Sequence, residues 1–415
     1  MKSPHDDLIY DWNELKRRGP LLSKKPEFDD ETLRDGIQSP SVADPSIDDK
    51  LAIVHLQAKL GITTANIGLP GAGPRAYEDV LRIAKEIATQ KLTLKANCAA
   101  RTMVQDIRPI VEVSQKAGIP IEVYTFIGSS PIRQYAESWT VEHIMKTAEE
   151  AISFAVKEGM DVAFVTEDTT RSRPDHLDKL FRHAISLGVG RLVICDTVGH
   201  ATPDGIFNLL GWVRGLIDGT GQDVKIDWHG HNDRGLGVTN AIYALEAGAD
   251  RVHGSALGIG ERVGNAALDQ ILMNLKLLGV IENDLTSLVA YCRLVARACH
   301  WPIPKNYPLV GEDAFRTATG VHASAIIKAL EKQDTWLADR VYSGVPAGLF
   351  GREQQIEIGP MSGMSNVRHW LKRHRFEPDD ALAKAILLCA KSMNHTLEDH
   401  EILDVIKKHA EAPPV

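Results

Sequence analysis

The residues best suited by type and spacing to do chemistry are His229 and His231, in the run His229-Gly-His-Asn-Asp233. Two residues apart on an extended segment, their rings leave the same face and can meet one ion. A hard carboxylate is the usual companion of such a pair, and Asp35 in Leu33-Arg-Asp-Gly-Ile-Gln38 is the candidate third ligand. Asn265, closing Gly258-Ile-Gly-Glu-Arg-Val-Gly-Asn265, can add a neutral oxygen. Two imidazoles and two oxygens, with room for a bidentate ligand, suit Zn²⁺, Mn²⁺, Co²⁺ or Mg²⁺. Arg34, beside Asp35, reads as a cation aimed at a developing oxyanion. Glu167, Asp168 and Arg171 form a second charged set. Gly258-Ile-Gly260 does not meet the G-x-G-x-x-G spacing, so a tight turn beside a metal ligand is the simpler account than a nucleotide loop. The basic run 368–375 reads as a solvated helix face, and Cys98 and Cys195 as core packing.

These groups need a frame that brings them together. Short runs rich in Val, Ile, Leu, Thr and Phe recur at 27–33, 63–69, 92–98, 121–127, 162–167, 191–197, 224–229 and 251–256. Amphipathic stretches such as 47–60, 78–89, 141–158 and 202–218 lie between them. Eight strand-helix units predict an α/β fold, a (β/α)₈ barrel over residues 26–285 behind a lead segment 1–25. The active face of such a barrel is at the C-terminal ends of its strands, where the charged runs fall. After Gly279 the pattern turns to helices alone, at 287–299, 320–332, 379–393 and 398–408, with a Pro-rich hinge at 301–308 and a Gly-rich joint at 351–363. A mostly helical C-terminal subdomain is therefore expected over 286–415, with no separate regulatory domain.

Composition narrows the function classes. The 415 residues carry 47 Lys and Arg against 55 Asp and Glu, a net charge of −8, which argues against a nucleic-acid partner. The longest apolar runs are strand-sized and far short of a bilayer span, and residues 1–20 lack the apolar core of a signal peptide, so the expected location is the cytoplasm. Five scattered cysteines without a C-x-x-C pair fit reduced thiols.

Three motifs in order carry a resemblance. Asp30-Glu-Thr-Leu-Arg-Asp-Gly-Ile-Gln38, His229-Gly-His-Asn-Asp233 and the 258–265 glycine loop together resemble the signatures of the 2-isopropylmalate, homocitrate and citramalate synthases, in the DRE-TIM metallolyase superfamily. The likeness runs from about Phe28 to at least Gly363, through Glu167-Asp168, Asp196-Thr-Val-Gly199 and Val310-Gly-Glu-Asp-Ala-Phe315. It implies that Asp35, His229 and His231 hold a divalent metal, with Asn265 as a candidate fourth ligand. It implies that Gln38, Arg101 and Thr197 line a 2-oxo acid pocket and that Arg34 supports the ketone oxygen. His322 and Tyr342, from a C-terminal subdomain reaching over the partner subunit's barrel, would join Glu167 in acid/base chemistry within a homodimer. The implied reaction is a Claisen condensation of acetyl-CoA with a 2-oxo acid, giving a 2-alkylmalate-type product and CoA.

Several positions depart from the pattern. Ile37 stands where Glu is common, Asn66 where a Glu often precedes the Gly-Phe-Pro-like turn, and Tyr124 where many members carry His. Arg-Thr-Ala-Thr319 lacks the usual His-Glu pair, so Ala318 falls in an altered stretch, and Gly359-Pro-Met-Ser-Gly-Met-Ser365 replaces a basic run. The alternative is a carbon-carbon lyase or aldolase of the same superfamily. Such lyases with CoA substrates commonly carry a Cys in the strand-eight loop, and 254–265 has none.

Overall fold

Eight parallel strands close on themselves in the computed structural model of the chain, which describes residues 5, 8–14 and 25–411. They are β1 Glu27–Asp30, β2 Thr64–Asn66, β3 Lys95–Arg101, β4 Ile121–Gly128, β5 Val162–Glu167, β6 Arg191–Asp196, β7 Lys225–Gly230 and β8 Arg251–Gly254. Each strand pairs with its sequence neighbours, and β1 pairs β8 with Glu27 opposite Arg251 and Asp29 opposite His253. The fold is the (β/α)₈ barrel that the strand-helix alternation predicts. Most of the lead segment 1–25 lies outside the described residues.

The outer helices follow from apolar spacing. Pro74–Thr89 buries Val80, Ile83, Ala84 and Ile87, and Pro174–Ser186 buries Leu177, Leu180, Phe181 and Ala184, both the i, i+3, i+4, i+7 stripe of a helix packed on a sheet. Both start at Pro, whose missing N–H costs nothing there. Ser46 and Thr140 cap Ile47–Lys59 and Val141–Lys157 by accepting the N–H groups of Asp49 and His143. Among the described residues no helix is long and apolar enough to cross a membrane.

Strand ends differ from the periodicity reading where a turn begins. β1 was expected to reach residue 33 but stops at Asp30, because the N–H groups of Arg34 and Gly36 both turn back to the Glu31 carbonyl. That turn lifts Arg34 and Asp35 to the barrel mouth. β3 lies three residues later than expected, since Leu92 still closes the preceding helix by donating to the Ile87 carbonyl. β8 ends at Gly254, where a 3₁₀ turn Ala256–Gly258 begins.

The lumen of the barrel is charged rather than filled with branched aliphatics. Arg191 of β6 reaches Glu27 of β1 at 3.5 Å, and Tyr124 of β4 donates to Asp227 of β7 at 3.0 Å. Strands that are not neighbours can touch only across the lumen. Arg251 bonds Glu27 at 2.9 Å and Glu122 at 3.2 Å, while Arg191 pairs with Glu122 and Asp227. Above them Asp29 accepts from Thr64 and from Asn97, the latter at 2.6 Å, and His253 meets Asp227 at 3.0 Å. Among them Tyr124 packs with Ala163, Val193 and Cys195 in an apolar cluster.

The chain divides into two compact units, one of residues 1–284 with 290–301, the other of 285–289 with 302–415. The second is mostly helical. Met364–Arg373, Asp380–Ser392 and Asp399–Glu411 bury Val367, Trp370, Leu371, Ile386 and Ile402 in one core. The expected glycine joint holds the strand Gln355–Ile356, paired in parallel with Arg316–Thr317. Arg368 and Arg373, in the basic run, form exposed ion pairs with Asp380 and Glu353.

Within the first unit, helix residue Tyr291 is fully buried and donates its hydroxyl to Asp30, on the outer face of β1, with Thr32 at 3.0 Å. Burial raises the Asp30 carboxyl, so this hydroxyl is one of the few groups compensating it. Tyr291→Phe is expected to lower stability by about 1–3 kcal/mol, the cost of an orphaned buried acceptor. An unchanged urea midpoint at unchanged slope would contradict that account.

Candidate metal centre

The centre is built by alternation on β7 and by the turn after β1. His229 and the residue after β7, His231, point into the mouth, and the β1 turn brings Asp35 against them. The Asp35 Oδ2 atom lies 3.3 Å from both Nε2 atoms, and the two Nε2 atoms are 3.4 Å apart. Three donor atoms in a triangle of that edge are what ligands at about 2.0–2.1 Å from a shared Zn²⁺-like ion require. Asp35 Oδ2 and the Asn265 Oδ1 are buried and lack any hydrogen-bond partner, as do Asp29 Oδ2 and Asn97 Oδ1 lower in the lumen.

Asn265 is held in place by its amide, which donates to the Ile259 carbonyl at 3.1 Å, and by a backbone bridge to His231. The glycines of this loop are there for space. A Cβ on Gly264 would stand 1.8 Å from the Gly258 carbonyl oxygen, and one on Gly260 2.3 Å from the Asn265 amide.

Electrostatics leave the ligands in binding form. Burial works against the Asp35 carboxylate, yet Arg34, with His229 and His231, holds it well below its ordinary range. Burial lowers His229, against Asp35 and Glu31, which favours the neutral imidazole a metal needs. Burial would raise Glu31, but Arg34 and then the neighbouring histidines bring it down to about 2. His253 is driven the other way: burial opposes its charge, and Asp227 and Glu31 overcome it, raising it to about 9.

A cavity of about 120 Å³ opens on this centre. Its wall includes Arg34, Gln38, Glu167, Thr197, Glu261 and Cys195. Arg34 stands 3.4 Å from Asp35, on the cavity wall. Burial raises the Glu167 carboxyl, against Arg133 and Arg34, which favours its protonated form. Thr197 accepts the Asp168 N–H at 2.9 Å, which leaves its own hydroxyl proton to donate. Cys98 and Cys195 are both core residues as expected, and Cys195 also edges the cavity.

Other expected residues lie elsewhere. Arg101 is outside the cavity wall: its guanidinium is clamped on Asp106 at 2.6 and 3.0 Å beside the mouth of β3. Asp168 and Arg171 pair with each other at 2.7 Å and shape the loop after β5. His322 and Tyr342 belong to the second unit, where their rings stack 4.1 Å apart. The groups that sequence reasoning passed over are Glu31, Asp227 and His253. The signal was present, since Glu27, Asp29 and Glu31, like Asp227, His229 and His231, sit two apart on one strand face.

Comparison with known proteins adds a lineage. Residues 25–295 match the HMGL-like family model. The chain is 33% identical over 347 residues to a probable 2-isopropylmalate synthase of Methanopyrus kandleri, covering 83% of this chain and 64% of that protein. It is 32% identical over 349 residues to the 2-isopropylmalate synthase of Lactococcus lactis, again spanning 64% of it. With the 2-isopropylmalate synthase of Sulfolobus acidocaldarius it shares 30% identity over 374 residues, 89% of this chain and 91% of that one. Among solved structures, the HMG-CoA lyase of Bacillus subtilis superposes with a TM-score of 0.57 at 19% identity, over 68% of this chain and 96% of the lyase, a likeness of fold.

Asp35→Ala or His231→Ala is expected to weaken Mn²⁺ or Zn²⁺ binding by at least about 100-fold, beyond the 10–100-fold that outer residues command. Calorimetry on the folded variants checks it. Unchanged affinity in either variant would remove that residue from the ligand set.

Proposed function

The chain belongs to the HMGL-like, DRE-TIM family, and on that premise we propose that it is an acyltransferase joining acetyl-CoA to a 2-oxo acid, with water then hydrolysing the thioester so that a 2-alkylmalate-type product and CoA are released. The observation that carries this reading is the triangle of Asp35, His229 and His231 donor atoms beside Arg34 at the mouth of the barrel. A divalent ion held there by those three residues, with Asn265, would act as a Lewis acid toward a chelated 2-oxo acid.

The chain's own groups supply the rest. Arg34 keeps its charge at every accessible pH, since its carboxylate neighbours outweigh its burial. It is suited to the oxyanion that forms as the ketone is attacked. Gln38 and Thr197 offer hydrogen bonds to the substrate carboxylate from the cavity wall. Glu167, with its raised carboxyl, is suited to taking the proton that leaves the acetyl methyl. Asp35, His229 and His231 are buried where they line the cavity, and the lower dielectric there strengthens these interactions. Tyr124, Phe126, Leu69 and Val165 give the apolar wall against which a 2-oxo acid side chain is measured. Arg101, committed to Asp106, is left out of this assignment.

The test follows free thiol from acetyl-CoA with Mn²⁺ or Zn²⁺ and, in turn, pyruvate, 2-oxobutyrate, 2-oxoisovalerate and 2-oxoglutarate. Thiol released with one of them supports the reading. Thiol released with none, together with cleavage of a hydroxyacyl thioester, would transfer the protein to the lyases. In the active pairing Arg34→Ala is expected to lower kcat by about 10²–10³, as loss of one oxyanion contact does, with KM for the 2-oxo acid changed far less. A defect confined to KM would make Arg34 a binding group only.

A further inference from the structure

Glu31 has no part in the reaction above, yet it is among the most deeply placed charges of the barrel, its side chain 1% exposed. Its Oε2 oxygen takes the Nε of Arg34 at 2.8 Å and the Nη2 at 2.7 Å. Those two bonds fasten one edge of the guanidinium and leave Nη1 as the end that faces Asp35, 3.4 Å away. The other oxygen, Oε1, looks toward His253 Nδ1 at 3.3 Å, the Asn66 amide at 3.5 Å and His229 Nδ1 at 3.9 Å. We propose that Glu31 is the positioning residue of Arg34: it fixes which face of the guanidinium meets the substrate oxyanion, and it does so from a place that a carboxylate on β2, at position 66, could equally supply.

The physical case is one of preorganisation. An arginine side chain carries about 2 kcal/mol of rotamer entropy, and an oxyanion contact works only if that cost is met before the charge develops. A forked pair with a buried carboxylate meets it. Glu31 also falls in a second group with His229 and His253 whose atoms could surround a cation. Those atoms are Glu31 Oε1 and the two Nδ1 nitrogens, and the competition is with other roles: His229 already belongs to the Asp35 triangle through Nε2, and His253 is held in its charged form by Asp227 and Glu31. A cation placed there would lie against Arg34. The carboxylate therefore acts through the arginine and not through the metal.

Position 66 supplies the independent observation. Asn66 is fully buried on β2, the strand beside β1, and its amide ends at Oε1 of the same carboxylate whose Oε2 holds Arg34. Asn66→Glu adds one methylene in that direction, so Glu31→Ala with Asn66→Glu moves the carboxylate from one strand to the next without moving its target.

The proposal rests on the assignment of Arg34 to the oxyanion, and its test is read by binding as well as by turnover. Oxalate, a planar dianion that chelates Mn²⁺ and puts a negatively charged oxygen where the ketone oxygen of a 2-oxo acid would lie, is titrated calorimetrically into the Mn²⁺-loaded protein. Glu31→Ala and Arg34→Ala are each expected to cost about 10–100-fold in oxalate affinity, and the double variant no more than the larger of the two. Mn²⁺ affinity is expected to fall less than oxalate affinity in Glu31→Ala. Asn66→Glu is expected to restore at least half of the lost affinity, on a logarithmic scale, in the Glu31→Ala background. Where thiol release is measurable, kcat should follow the same order while KM for acetyl-CoA stays level. Losses that add in the double variant, a folded swap variant that recovers nothing, or Mn²⁺ binding lost in step with oxalate would each overturn the proposal. Absence of thiol release with every 2-oxo acid would overturn the assigned reaction and leave the oxalate cycle to decide Glu31.

Discussion

Everything in the barrel depends on one constraint: a carboxylate taken out of water must be given a cation or a full set of donors. Glu27, Asp29, Glu31 and Asp227 all face the lumen, and Arg191, Arg251, Arg34 and His253 are arranged around them. Removing a partner of Glu31 or Asp227, which are fully buried, would strand that charge at a cost of several kcal/mol, whereas Glu27 keeps access to water. The arrangement is therefore mutually enforcing. Arg251 touches Glu27, Glu122, Asp227 and Tyr124, so four strands are registered by one side chain.

That stacking also sets the chemistry at the mouth. His253, charged and held by Asp227, faces Glu31 from below, Glu31 holds Arg34, and Arg34 stands beside Asp35. Charges thus alternate in sign on the way up, and each step fixes the orientation of the next. At the top the series ends in Asp35 Oδ2, which has two imidazole nitrogens within 3.3 Å and no hydrogen-bond donor. A site that binds a cation is the natural end of such a series, because one more positive charge satisfies the last carboxylate.

Much of this was legible in the residues. Strand-helix alternation was enough for the barrel, because the outward faces of the strands and the inward faces of the helices are apolar at the periods those elements require. His229 and His231 could be paired because they are two apart, and Asp35 joined them because a barrel gathers its strand ends. Arg101 went astray because Asp106, five residues on at the start of a helix, competes for it, and that contact depends on how the helix begins. Glu31 and His253 escaped notice for a different reason. Their strands were read as apolar runs, and a buried ion network leaves no hydrophobic signature; its only mark is charge at every second position. Asn66 was visible as a departure, but what it departs toward needed the distance to Glu31.

The long reach of these contacts bears on how the chain acquires its shape. Glu27 and Asp29 of the first strand find their arginine and histidine on β8, and Asp30 finds Tyr291 across 261 residues. Until that late sequence has been made, the first strand has three carboxylates and little to bury them against. Such distant pairing closes large loops before it is rewarded, which slows folding. The order of synthesis and the order of consolidation therefore run in opposite directions: the segment that leaves the ribosome first is among the last to be secured, and its commitment waits on the arrival of the eighth strand.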